Sequence, residues 1–165
     1  MSKTFHEELV PHAENVVTSF KAKGYHLATA ESCTGGLISA ALTAIAGSSD
    51  VMDCAFVTYS NQAKMKMVGV PAVLLQQNGA VSDEVARAMA EGALHTANVD
   101  VAIAVTGIAG PGGATPDKPV GLVYIALAAK TCPTLVERHV FSGDRAEVRY
   151  QTVMRSLTLL NQFAA

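Results

Sequence analysis

The chain has 165 residues, 50% of them hydrophobic, which is enough for one substantial core and argues against two domains. A formal net charge of −2, 5% aromatic residues and no run of Lys or Arg exclude nucleic acid as the principal ligand. The longest apolar run, Val120 to Ala129, falls well short of the roughly 20 residues that a membrane helix needs, and Met1 to His6 contains no signal-peptide core.

Leu9, Ala13, Val16, Val17 and Phe20 recur at helical spacing and Gly24 follows as a left-handed cap, predicting a helix from about Thr4 to Lys23. His26 to Ala30 is a short apolar strand that runs into a small-residue corner, Glu31-Ser32-Cys33-Thr34-Gly35-Gly36. Leu37, Ile38, Ala41, Leu42 and Ile45 then give a second helix its apolar face, and Gly47 ends it. Cys54 to Tyr59 is continuously apolar and reads as a central strand covered on both faces. Ser60 or Asn61 caps a short helix carrying Ala63, Met67 and Val68, which Gly69-Val70-Pro71 breaks. Pro71 to Gln77 supplies another helical turn or two. Ser82-Asp83-Glu84 opens the next helix, with its acidic residues at the positive end of the dipole and Val85, Met89 and Ala93 on its buried stripe.

Val99 to Ile108 is a strand with Val101, Ile103 and Val105 on one face and the smaller Ala102, Ala104 and Thr106 on the other. It ends in a second corner, Thr106 to Gly113, too rich in glycine and proline for regular structure and of the kind that carries ligands. Val120 to Ala129 and Leu135 to Phe141 read as an antiparallel hairpin, so the sheet must be mixed. Asp144 and Glu147 have capping-box spacing for a last helix with Tyr150, Val153, Met154, Leu157 and Leu160 inside. The order predicts an α/β protein, a three-layer α/β/α sandwich on a mixed, mainly parallel sheet of about five strands. Three corners at strand carboxyl ends, after Ala30, Tyr59 and Thr106, are where such sheets hold ligands.

Cys33, Cys54 and Cys132 are widely spaced and form no Cys-x-x-Cys, so no disulfide framework or zinc knuckle is indicated and a reducing cytoplasm fits best. The five histidines are scattered singly, and no metal site is expected. Ser32 has more to offer. A hydroxyl on that corner lies beside the backbone N–H groups of a helix's first turn, so a nucleophile and oxyanion donors can share one place. Gly35 and Gly36 let a ligand approach the backbone closely. The alternative is that Ser32 or Thr34 serves only as an N-cap.

Several separate stretches together closely resemble the CinA C-terminal domain family over nearly the whole chain: Ala30 to Gly36, Tyr59-Ser60-Asn61 with Lys64, Thr106-Gly107-Ile108-Ala109-Gly110-Pro111 with Lys118-Pro119-Val120-Gly121, and Phe141 to Arg145. Stand-alone bacterial members of that family are nicotinamide mononucleotide deamidases. The resemblance implies one CinA C-terminal-like amidohydrolase domain over residues 1–165, which converts nicotinamide mononucleotide to nicotinic acid mononucleotide and ammonia in pyridine nucleotide recycling. It further implies a serine and a lysine acting without metal or cofactor, and it leans toward a homodimer. Two-domain relatives add an N-terminal molybdopterin-binding-like domain that is not expected here. A nucleotide-binding sensor or interaction module that keeps the pocket without the chemistry is the alternative.

A serine hydroxyl needs a neighbouring base. With no histidine in these motifs, Lys64 is the candidate, and it can serve only while neutral. Lowering its pKa from about 10.4 toward 7 or 8 takes roughly 3 to 4 kcal/mol, of which a helix dipole supplies about 0.3 to 1. Burial and a nearby cation must provide the rest, so Lys64 is expected desolvated and within reach of Ser32, with Lys66 facing elsewhere. The oxyanion would lie against N–H groups from Cys33 to Gly36. Tyr59 either relays the proton or holds Lys64, or is a core aromatic. Cys33 is a rival nucleophile or a small buried side chain. Asn61 lies beside Lys64 as a substrate contact. Thr106, Gly107, Gly110 and Arg145 offer a hydroxyl, backbone N–H groups and a guanidinium to the substrate phosphate, and Lys118 either assists or solvates its loop.

Overall fold

The strand Val101–Gly107, β3, organises the layers, and its two faces feed two different cores. The structure is a computed structural model and describes residues 5–165. Before β3 come α1 (Phe5–Lys23), β1 (Leu27–Glu31), α2 (Leu37–Thr43), a 3₁₀ turn (Ser48–Asp50), β2 (Met52–Val57), α3 (Asn61–Val68), α4 (Ala72–Asn78) and α5 (Asp83–Ala97). After it come β4 (Leu122–Ala129), β5 (Cys132–Val140) and α6 (Arg145–Ala164). Val101, Ile103 and Val105 pack with α1, α2 and α6, while Ala102 and Ala104 face α5. This is the large-and-small alternation expected of the strand. The predicted helix start at Thr4 lies outside the described residues.

The sheet order is β2-β1-β3-β4-β5. β1 pairs in parallel with β2 and β3, whereas β3–β4 and β4–β5 are antiparallel. Register carries the functional consequence. Glu31 pairs with Val57 on one side and Val105 on the other, so the next residues, Ser32, Thr58 and Thr106, emerge level at one edge. The Ser32 N–H donates to Val105 O at 3.1 Å and the Thr58 N–H to Glu31 O at 2.9 Å, carrying both ladders one step beyond the strands.

β2 corrects one expectation, because it is an edge strand and none of its residues is fully buried. An apolar run satisfies a central or an edge position equally well. The α3–α4–α5 crossover decides the matter by delivering β3 to the inner side of β1. α2 also stops at Thr43, short of Gly47, whose φ of 83° turns the chain into the 3₁₀ segment.

The second core is rich in alanine, and α5 lies close to its neighbours. A Cβ built on Gly92 would stand 1.8 Å from Val68 O at the end of α3. Alanine is a better helix former than glycine by about 1 kcal/mol. Gly92→Ala is nevertheless expected to destabilise the protein by about 1 to 3 kcal/mol in urea denaturation, because overpacking against a backbone carbonyl outweighs propensity.

Candidate active site

Glu31, the last residue of β1, is wholly buried, and its carboxylate accepts five hydrogen bonds. Thr29 Oγ1 (3.2 Å) and Ser39 N (2.9 Å) donate to Oε1. Thr34 Oγ1 (2.6 Å), Gly36 N (3.1 Å) and Ile38 N (3.0 Å) donate to Oε2. A carboxylate is the side chain that accepts so many donors without offering one. The first-turn N–H groups of α2 are therefore already taken, which corrects the expectation that they face a ligand. Gly36 occupies the N-cap position, so Ser32 is not a cap, and Thr34 spends its hydroxyl proton on Glu31. The Gly35 N–H closes a turn onto Ser32 O at 3.1 Å, and the Cys33 and Thr34 N–H groups have no backbone acceptor among the described residues. Gly35 and Gly36 are required by their φ values of 62° and 101°. Sequence reasoning passed over Glu31, although a carboxylate ending an apolar strand beside two threonines is itself a signal that donors must be near.

Lys64 sits in the second turn of α3 and is 1% exposed. Its Nζ donates to Ser32 Oγ at 3.0 Å and to Thr58 O at 2.9 Å. Burial lowers the lysine pKa below 10.5. Ser60 caps α3 by accepting from the Ala63 N–H at 3.0 Å, which fixes the helix start and thereby the lysine. Lys66 is exposed. Cys33 is buried and its thiol is pushed up to about 12, chiefly by desolvation, so it remains protonated.

Other expected residues take different partners. Tyr59 is 61% exposed and its hydroxyl accepts from Arg145 Nη2 at 3.1 Å, so it is neither a core aromatic nor the group that holds Lys64. The Thr58 carbonyl does that, because the strand end turns the tyrosine outward. Thr106 Oγ1 donates to Ala80 O at 2.8 Å, and Lys118 Nζ to Asn78 O at 2.6 Å. Both pin the α4–α5 connection, and the Thr106 proton is not available to a phosphate. Gly110 is held by packing, since a Cβ there would lie 2.6 Å from Val120 Cγ1, and its carbonyl accepts from Arg145 Nη1 at 2.9 Å. Arg149 went unrecognised in the sequence. One turn beyond Arg145, it donates from Nε to Cys33 O (3.2 Å) and from Nη2 to Thr34 O (3.0 Å).

Ser32, Cys33, Tyr59, Asn61, Lys64, Thr106, Gly107 and Arg145 converge on one cavity of about 250 Å³. Thr34, Gly35, Gly36 and Gly110 do not line it. A larger cavity of about 650 Å³ adjoins it, shares Ala109 and Arg145, and has Arg149 in its wall. Among the described residues no cluster of three His, Cys, Asp or Glu side chains is placed to hold a metal ion, and no helix is long and apolar enough to cross a membrane.

Fold and site together define an α/β sandwich with a buried serine–lysine pair where the ends of three strands meet. The chain belongs to the CinA family: the family model of the CinA C-terminal domain matches residues 10–164. It is 51% identical over 146 residues to the nicotinamide-nucleotide amidohydrolase PncC of Enterobacter agglomerans, covering 88% of this chain and 89% of that one. A CinA-like protein of Geobacter sulfurreducens is 50% identical over 147 residues, which are 89% of this chain but 35% of the relative. The crystal structure of the competence/damage inducible protein CihA from Agrobacterium tumefaciens superposes with a TM-score of 0.92 at 45% identity, covering 100% of this chain and 99% of that one.

Two stability measurements test the site's construction. Glu31→Gln turns an amide N–H₂ toward backbone N–H groups in either orientation, and a loss of about 2 to 4 kcal/mol in chemical denaturation is expected. A lysine whose folded pKa lies below its unfolded value binds fewer protons in the native state, so stability rises with pH between the two. Relative to Lys64→Met, the wild type is therefore expected to gain stability as pH climbs toward 10.5, read as the difference between their melting curves.

Proposed function

We propose that this chain hydrolyses the carboxamide of nicotinamide mononucleotide to nicotinic acid mononucleotide and ammonia by a serine–lysine mechanism. The observation that carries the reading is the buried Lys64 amine 3.0 Å from Ser32 Oγ. The kinship with an amidohydrolase of nicotinamide nucleotides supplies the substrate class.

In this reading neutral Lys64 takes the Ser32 proton as Oγ attacks the carboxamide carbon. The tetrahedral oxyanion rests on the Cys33 N–H, a donor of the cavity wall that Glu31 leaves unclaimed. The Lys64 ammonium returns the proton to the departing nitrogen, which leaves as ammonia. Lys64 then deprotonates water to cleave the acyl ester, regenerating Ser32. The substrate's pyridinium charge favours the neutral amine. In this reading Arg145, which lines both cavities, receives the phosphate, and Asn61 and Tyr59 contact the substrate from the wall of the smaller one. The family resemblance and the composition extend the reading to pyridine nucleotide recycling in the cytoplasm by a homodimer of this one domain.

Ser32→Ala is expected to lose at least about a thousandfold in kcat, while nicotinamide mononucleotide still raises its melting temperature. Wild-type protein that binds the nucleotide and releases no ammonia would overturn the reading. The base must be unprotonated, so kcat/KM is expected to rise with pH through a step below 10.5, and that step is expected to vanish in Lys64→Met, leaving only a flat residual rate.

A further inference from the structure

We propose that Arg149 is a positioning residue that converts binding of the substrate's anionic end into alignment of the acyl-transfer corner, an inference that rests on the amidohydrolase reading. Its guanidinium touches both places at once. Nε and Nη2 hold the carbonyls of Cys33 and Thr34, whereas Nη1 donates to nothing among the described residues, and the side chain forms part of the wall of the 650 Å³ cavity.

The Cys33–Thr34 peptide is planar and trans, so its C=O and N–H point in opposite directions. Drawing the Cys33 carbonyl toward α6 therefore aims the Thr34 N–H away from α6 and fixes the far end of Cys33, the residue of the turn that lines the smaller cavity beside Ser32. Guanidinium is a rigid planar fork, in which fixing one edge fixes the others. Arg149 is half-buried on a flexible stem, so with the cavity holding only solvent its hold on the two carbonyls competes with water. An anion on Nη1 would lock the plane and with it the peptide. Arg145 makes a contrast. It bonds Gly110 O and the Tyr59 hydroxyl and, among the described residues, makes no hydrogen bond to the Ser32–Gly36 turn, so it can bind an anion without reorienting that turn.

Splitting the substrate tests this. Ammonia release from nicotinamide riboside, which lacks the phosphate, is measured against inorganic phosphate concentration in wild type, Arg149→Lys and Arg145→Ala, with nicotinamide mononucleotide as a separate arm. Wild type is expected to be activated by phosphate to a plateau at least about tenfold above its rate without phosphate, the scale that improved alignment supplies. Arg149→Lys is expected to keep less than about a twofold plateau, because lysine cannot bridge both carbonyls and an anion. Arg145→Ala is expected to need more phosphate to reach half of its own plateau. Absence of activation in wild type, or an unchanged plateau ratio in Arg149→Lys, overturns the inference while leaving the amidohydrolase reading standing if the mononucleotide is hydrolysed. Failure of the wild type on the mononucleotide removes both.

Discussion

One buried carboxylate receiving five hydrogen bonds holds the corner on which everything else in the site is arranged. Glu31 ends β1, and its two oxygens gather donors from the strand itself, from the turn and from the first residues of α2. Burying such a charge without donors would be prohibitive, and here the turn folds around it to provide them. The same bonds decide which amides remain for a substrate. Without Glu31 the α2 N-terminus would be the obvious anion site. With it, the site contracts to the Ser32–Thr34 turn.

The amine of Lys64 presents the opposite problem. Its burial lowers the pKa, which suits a base and opposes stability at neutral pH, and its two acceptors, Ser32 Oγ and Thr58 O, carry no formal charge. A carboxylate at either position would hold the amine protonated. The Glu31 carboxylate, at the start of the same turn, is instead tied up by amides and hydroxyls. An acidic group and a basic group thus share one small region and serve different purposes, because each has its own set of neutral partners.

Much of this was legible in the residues. The alternation along Val101 to Val105, the capping box of Asp144 and Glu147, the Ser82 cap and the hairpin after Val120 are local patterns, and local patterns survive into the fold. The convergence of Ser32 and Lys64 was legible because both follow strand ends. What escaped was set by long-range partners. β2 looked central because an apolar run does not state which side a later strand will take. Thr106 looked like a phosphate donor because its hydroxyl was free to be assigned until Ala80 came within 2.8 Å. Arg149 bonds carbonyls 115 and 116 positions earlier in the chain, and no spacing rule reaches that far.

The level strand ends have a dimensional consequence. Neighbouring strands stand about 4.8 Å apart, so three consecutive ends lay down a floor roughly 10 Å across with β1 in the middle. Whatever is laid across that floor has the end of the central strand, and with it Ser32, beneath its middle. The backbone ladder thereby acts as a ruler for the ligand, and its graduations are set by peptide geometry rather than by any side chain that drift could replace.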